Sequence, residues 1–219
     1  MEKQPVFEYG NEEIVYLKSR CPKMAAAIDA IGHIERPVIP DLYAALVNCI
    51  VGQQISTAAH KTIWKRMTDA LGEITPEGVA ALSDDELQAF GTTFRKVEFI
   101  RGVTNRVLDG RLDLQALADL PDDEVERALV ELPGIGKWTA EMLMTFSMQR
   151  PDIMSYGDLA IQRGLRMLYH HRAITPKLFA KYQRRFSPYG TVASLYLWAI
   201  AGGAIPEMRD YAPKKPKRS

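Results

Sequence analysis

The sequence has few cysteines and no long apolar run. Its 219 residues include two cysteines, Cys21 and Cys49, whereas an iron–sulfur cluster usually takes four. We therefore expect no iron–sulfur cluster, and two reduced, structural thiols as in a cytosolic protein. The longest apolar run lies around residues 44–51 and is broken by Asn48, whereas a membrane-spanning helix needs roughly 20 apolar residues. We expect no membrane association.

Acidic residues are absent from positions 159–206, although the net charge of the whole chain is only +1. The same stretch contains the bases Arg163, Arg166, Arg172, Lys177, Lys181, Arg184 and Arg185. Positions 113–131 show the reverse, with seven acids and Arg127 as the one base. Such asymmetry favours a face that meets a polyanion, the alternative being helical surfaces whose charges segregate by chance. Residues 206–219 form a predicted basic tail with five cationic side chains, suited to tethering DNA.

The remaining pattern is helical almost throughout. Leu42, Leu46 and Ile50 belong to an apolar stripe at helical spacing, and Ser83 with Glu86 has the spacing of a capping box. Further helix starts are predicted at Pro121 and at Pro176. No stretch combines sustained period-2 alternation with hairpin turns, so a sheet is not expected. We predict an all-α fold of roughly ten helices, each about 8–17 residues long.

The most informative segment is LPGIGKWTA, at positions 132–140. Pro133 presets a turn, and Gly134 and Gly136 permit positive φ and leave the backbone bare. A helix is predicted to begin near Lys137, so its free N–H groups would face an approaching phosphate. Ile135 would plug the hairpin into the core. The alternative is an ordinary turn between two helices with a glycine C-cap.

At this segment the chain resembles the helix-hairpin-helix DNA glycosylase superfamily. The superfamily places an aspartate some 20 residues after the hairpin, and Asp158 follows Gly136 by 22 positions. The stretches IVGQQIS at 50–56, FRKVEFI at 94–100 and YLW at 196–198 are similar to further family elements, in the same order. The closest likeness is to the 3-methyladenine DNA glycosylase II branch. That branch often carries an N-terminal β domain; since 40 residues precede Asp41, we expect that domain to be missing here.

The resemblance implies a single unit over residues 1–219, built as a two-lobed helical bundle with an active-site cleft between the lobes. One lobe, at 36–145, is expected to be a six-helix barrel that carries the hairpin at 132–137. The other is expected to combine residues 1–35 with 146–205.

The resemblance also assigns Asp158 as the catalytic residue. A fixed carboxylate in a pocket of low dielectric stabilises the positive charge that builds on the sugar as the base departs. It can also orient or deprotonate the attacking water. A plain helix N-cap is the alternative, and the two roles are compatible.

The family's base pocket maps onto Trp138 and Trp198, with Met142 and Tyr156 beside them. Electron-rich aromatic faces bind cationic alkylpurines by stacking and cation–π attraction. The alternative for each tryptophan is ordinary core packing. Met142 stands where the family often has a tyrosine, which leaves the range of accepted bases open.

Residues expected to bind DNA lie in two loops. The resemblance sends the loop containing Gln53 and Gln54 into the minor groove, with one of the two glutamines as the wedge that fills the gap left by the flipped nucleotide. Alternatively, these amides merely satisfy neighbouring backbone groups. The other expected contacts are Ser56, Gly134, Ile135, Gly136, Lys137 and Thr139. A monovalent or hydrated ion could bind carbonyls of the hairpin at 132–137, and no other metal or cofactor is expected.

Taken together, these features predict a base-excision repair glycosylase that removes alkylated bases and leaves an abasic site. Its expected partner is double-stranded DNA with a damaged base. We expect a monomer in the cytoplasm of a bacterial or archaeal cell, or in the nucleus of a eukaryotic one. Two alternatives remain: a glycosylase for uracil, mismatched or oxidised bases, and a hairpin module that binds DNA without chemistry.

The residue after Lys137 predicts the type of reaction. Family members that also nick the strand have a lysine two positions after the last hairpin glycine, where this chain has Trp138. Lys137 is one residue early and would point about 100° away on the helix. Borohydride should therefore not trap the protein on damaged DNA through a Schiff base. Efficient trapping, seen as a covalent protein–DNA band in a denaturing gel, would contradict this assignment.

Overall fold

The computed structural model describes residues 4–213, and this part of the chain is helical. It contains twelve α-helices, a 3₁₀ turn at Ala116–Asp119 and one isolated β-bridge between Val6 and Pro37. The helices are α1 (Asn11–Arg20), α2 (Pro22–Ile31), α3 (Leu42–Gly52), α4 (Thr57–Leu71), α5 (Pro76–Ala80), α6 (Asp84–Ala89), α7 (Phe94–Leu108), α8 (Asp122–Val130), α9 (Lys137–Phe146), α10 (Leu159–Tyr169), α11 (Pro176–Phe186) and α12 (Gly190–Ala201). Among the described residues, none of these helices has the length and apolar character needed to cross a membrane.

The prediction of an all-α fold is confirmed. The described residues have two α-helices more than the roughly ten expected, and the predicted minimum length of about eight residues is wrong. The difference arises mainly from α5 and α6, which are five and six residues long. Helices this short complete fewer than two turns, so they show no repeating apolar stripe in the sequence.

The helix starts follow the capping chemistry of the sequence. The Ser83 hydroxyl accepts the Glu86 N–H at 3.2 Å, and the Glu86 carboxylate accepts the Ser83 N–H at 2.7 Å. Thr175 caps α11 by accepting the Leu178 N–H at 3.3 Å. These side chains satisfy backbone groups that have no partner within their own helix.

The chain divides into two compact units. The central unit is Ile39–Met148 and contains α3 to α9; the discontinuous unit joins Met1–Val38 to Gln149–Ser219, of which residues 4–38 and 149–213 are described. Most of the predicted basic tail, residues 214–219, lies outside the described residues. Before it, Asp210 accepts two hydrogen bonds from the Arg166 guanidinium, at 2.7 and 2.6 Å.

In the discontinuous unit, α12 is the central helix. Residues 190–197 are all buried, which is typical of a helix surrounded by its neighbours. Helix α10 packs tightly against α12 at Gly164, where a Cβ atom would lie 2.3 Å from the Leu197 carbonyl oxygen. Glycine at this position therefore sets how closely α10 approaches α12.

In the central unit, Arg101 joins three helices. From α7 it pairs with Asp84 at 2.8 Å and donates to the Val79 carbonyl at 2.9 Å. The Leu82 carbonyl accepts a further hydrogen bond from the same guanidinium. These bonds attach α5 and α6 to α7, the helix whose N-terminal half lies beside the predicted DNA-binding loops.

Candidate functional site

The hairpin between α8 and α9 is anchored in the core of the central unit. Leu132 and Ile135 are each only 4% exposed, and the Ile135 N–H donates to the Leu132 carbonyl at 3.1 Å. Ile135 therefore plugs the hairpin into the core, as its apolar side chain between two glycines predicted.

The two hairpin glycines serve different purposes. Gly134 has φ +80°, and a Cβ atom there would lie 2.4 Å from the Phe99 ring. Gly136 has φ −91° and is the N-cap of α9, so it does not use the positive φ that glycine permits. No atom lies within 4 Å of a Cβ built on Gly136, which leaves its backbone open to a ligand.

The first turn of α9 presents a paired lysine and an exposed tryptophan. The Lys137 ammonium binds both carboxylate oxygens of Glu126, at 2.6 and 2.7 Å. To contact a phosphate, Lys137 would thus have to break its ion pair with Glu126. Trp138 is 50% exposed, which excludes the alternative of core packing. Thr139 is half-buried and Met142 is buried.

The loop after α3 is tied to the hairpin. Gln53 ends α3, and its side-chain amide donates to the Gly134 carbonyl at 2.7 Å. Gln54 is exposed and has φ +55°, a left-handed conformation that is uncommon for any residue but glycine. Ser56 caps α4 by accepting the Ala59 N–H at 3.2 Å. Gln53 thus binds protein, which leaves Gln54 as the exposed glutamine of the pair.

A cavity of about 360 Å³ lies between this loop, α7 and the hairpin. Its lining residues are Gln53, Gln54, Ile55, Thr93, Arg95, Lys96, Phe99 and Gly134. The Arg95 guanidinium lies over the Phe99 ring, 5.5 Å from its centroid. The Lys96 ammonium donates to the Val51 carbonyl at 2.8 Å.

The sequence predicted no role for Arg95 or Lys96 beyond their place in a family motif. The burial of Lys96 could have been predicted from its spacing, since it precedes Ile100 by four residues and Val103 by seven. This spacing puts the lysine on the apolar face of α7.

In the discontinuous unit, Asp158 is a buried helix cap. Its side chain is 6% exposed, and its Oδ1 accepts the N–H groups of Ala160 and Ile161 at 2.8 and 2.9 Å. Helix α10 begins at Leu159, so Asp158 is a helix N-cap, the alternative role that its sequence position left open. These two bonds fix the orientation of the carboxylate, and the positive end of the helix dipole favours its negative charge.

The other predicted pocket residues of this unit have different environments. Tyr156 is 38% exposed and meets the Phe179 ring edge-on at 5.2 Å, while its hydroxyl donates to the Ile174 carbonyl at 3.3 Å. Trp198 is half-buried on α12. That the two aromatic side chains line one base pocket with Trp138 and Met142 stays a prediction.

The hairpin offers carbonyl oxygens to the ion that the sequence left possible. The carbonyls of Leu132 and Gly134 each already accept one hydrogen bond, and each has a second lone pair. Within residues 4–213, no group of three or more His, Cys, Asp or Glu side chains could hold a metal ion.

Comparison with known proteins identifies the family. The sequence profile of the HhH-GPD superfamily base excision DNA repair protein matches residues 47–188. This range includes the glutamine loop, the hairpin and Asp158, and it exceeds half of the chain. The chain therefore belongs to the HhH-GPD superfamily.

Similar proteins have named activities. DNA-3-methyladenine glycosylase 1 of Schizosaccharomyces pombe is 29% identical over 80% of this chain and 78% of its own length. A crystal structure of DNA-3-methyladenine glycosidase from Bacillus halodurans superimposes with a TM-score of 0.83 at 34% identity, covering 95% of this chain and 97% of that one. The Schizosaccharomyces pombe glycosylase in complex with abasic DNA gives a TM-score of 0.75 at 25% identity, covering 88% and 97%.

Replacing the two hairpin glycines by alanine should have different effects, a loss of stability at Gly134 and a loss of DNA binding at Gly136. Gly134→Ala forces a side chain into the Phe99 ring at positive φ, and should lower the free energy of unfolding by about 2 kcal/mol or more. Gly136→Ala should cost less than about 1 kcal/mol, but weaken DNA binding by obstructing the bare backbone. Chemical denaturation and binding to duplex DNA measure the two effects. Equal loss of stability in both variants would contradict this division of roles.

Proposed function

We propose that this protein is a monofunctional DNA glycosylase that hydrolyses the N-glycosidic bond of alkylated bases and leaves an abasic site. The observation that carries the proposal is the buried carboxylate of Asp158, held by two backbone amides at the start of α10. Membership of a base-excision repair superfamily and similarity to proteins named DNA-3-methyladenine glycosylases support it. Such an enzyme acts where the DNA is, in the cytoplasm or the nucleus.

The chemistry follows from the environment of Asp158. As the glycosidic bond lengthens, positive charge develops on the sugar, and a nearby carboxylate stabilises it. The stabilisation is strong because the carboxylate is buried and already oriented, so the reaction requires little reorganisation. The same carboxylate orients or deprotonates the water that attacks the sugar.

Specificity for alkylated purines rests on the aromatic residues. Half-exposed Trp138 at the start of α9 offers a face on which a flipped base can stack. A cationic methylated base gains additional cation–π attraction and is a good leaving group. We assign Trp198, Met142 and Tyr156 to the same pocket, where few polar groups would read the edge of a neutral base.

DNA binding combines the hairpin with the glutamine loop. The open backbone around Gly136 and the start of α9 would receive a phosphate, with Thr139 nearby and Lys137 as a contact once it leaves Glu126. Gln54 would be the wedge, because it is exposed while Gln53 binds the hairpin. Ser56 would position the loop by capping α4.

Asp158→Asn tests the catalytic role. Asparagine caps a helix as well as aspartate does, so stability should change by less than about 1 kcal/mol. Loss of the charge should slow single-turnover release of 3-methyladenine or 7-methylguanine by about 10²-fold or more, while affinity for abasic duplex DNA persists.

Asp41→Asn is the matched control, because Asp41 caps α3 in the same way by accepting the Ala44 N–H at 2.6 Å. It should leave excision unchanged. Undiminished excision by Asp158→Asn would refute the mechanism, whereas DNA binding without base release by the wild type would favour the non-catalytic module.

Trp138→Ala tests the specificity. The cation–π contribution of about 0.5–2 kcal/mol corresponds to roughly 2- to 30-fold slower excision of cationic bases. Trp64→Ala, at a half-buried tryptophan with no proposed role, should leave excision unchanged. Rates on duplexes with single lesions measure both. If uracil or 8-oxoguanine leaves faster than 3-methyladenine from matched duplexes, the alkylpurine assignment fails.

A further inference from the structure

Lys96 is a buried cation beside the proposed wedge. Its residue is 9% exposed, although lysines are almost never buried without a partner. The ammonium donates to the Val51 carbonyl at 2.8 Å, and burial lowers the pKa of this group. Burying an ammonium group costs free energy. We therefore expect its contact with the Val51 carbonyl to fix the backbone there in a way that a neutral side chain would not.

The partner carbonyl lies at the end of α3. The last carbonyls of a helix lack partners within the helix, and this end carries the negative pole of its dipole. An ammonium placed there satisfies one carbonyl and complements the dipole. Val51 comes three residues before Gln54, so this contact lies at the base of the glutamine loop.

The loop is held at two further points. The His60 ring lies against Gly52, 3.1 Å from where a Cβ atom would stand. The side-chain amide of Gln53 donates to the hairpin carbonyl of Gly134 at 2.7 Å. Gln54 then adopts φ +55°, a conformation that persists only when its surroundings impose it.

We infer that Lys96 is a positioning residue for Gln54: its ammonium fixes the end of α3 so that the wedge is already formed before DNA binds. The inference rests on the proposed function. A loop that is ordered in advance avoids the entropy cost of ordering during binding. Insertion of Gln54, and with it extrusion of the damaged nucleotide, then depends on a residue outside the base pocket.

The test replaces Lys96 by methionine, which keeps most of the apolar stem and removes the ammonium. Lys61→Met, at an exposed lysine on α4, is the matched control. One readout is single-turnover excision of 3-methyladenine from a duplex. The second is the fluorescence of 2-aminopurine opposite an abasic site at saturating protein, which reports wedge insertion without any chemistry.

Lys96→Met should lose about tenfold or more in excision rate and most of the fluorescence change, while Lys61→Met keeps both. Lys96→Arg should restore both signals, because arginine retains a charged donor for the carbonyl. Gln54→Ala should show the same losses, and adding Lys96→Met to it should cost little more, because residues that act through one another are not additive. Thermal unfolding checks that each variant is folded, and Lys96→Gln replaces Lys96→Met if the latter does not fold.

Wild-type excision and fluorescence in Lys96→Met would overturn the inference. A second result would also overturn it: Lys96→Met gives the full fluorescence change, but the salt dependence of its DNA binding falls by the equivalent of one phosphate contact. Lys96 would then be a direct DNA ligand. Absence of base release by the wild type would instead refute the proposed glycosylase activity, and the fluorescence readout would still test Lys96.

Discussion

The close approach of α10 to α12 at Gly164 sets the position of the candidate catalytic carboxylate. A side chain at Gly164 would collide with the backbone of Leu197, so the two helices pack at this distance only with glycine. Helix α12 is itself buried around almost its whole circumference, which makes it a rigid support. Asp158 is fixed to the first amides of α10, and its place in the unit therefore follows from this packing.

The central unit uses the same strategy at the glutamine loop and the hairpin. Gly134 permits contact between the hairpin and Phe99, and its carbonyl receives the Gln53 amide. Buried Ile135 holds the turn from the inside, while the backbone around Gly136 stays open. Groups proposed to meet DNA are thus attached to helix ends, where unpaired backbone groups and helix dipoles are available.

The local features of this arrangement could be predicted from sequence, whereas the features that depend on tertiary contacts could not. Ser83, Thr175 and Asp158 are helix caps. Each accepts an N–H group no more than three positions further along the chain, so the capping pattern is visible in the sequence. The partnership of Lys137 with Glu126 spans 11 residues and depends on how α8 meets α9.

The choice between Gln53 and Gln54 as the wedge also depends on tertiary contacts. Gln53 and Gln54 are chemically identical, and only the distant Gly134 distinguishes them by accepting a bond from Gln53. The prediction of a base pocket in a cleft between the lobes also depends on distant residues, and it stays a prediction.

The most direct test of the central claim is mass spectrometry of the bases that the wild-type protein releases from methylated DNA. The account predicts free 3-methyladenine and 7-methylguanine. One abasic site should form for each base released, and the DNA strands should stay intact. Binding of the same DNA with no base released, or with strand cleavage through a covalent intermediate, would contradict it.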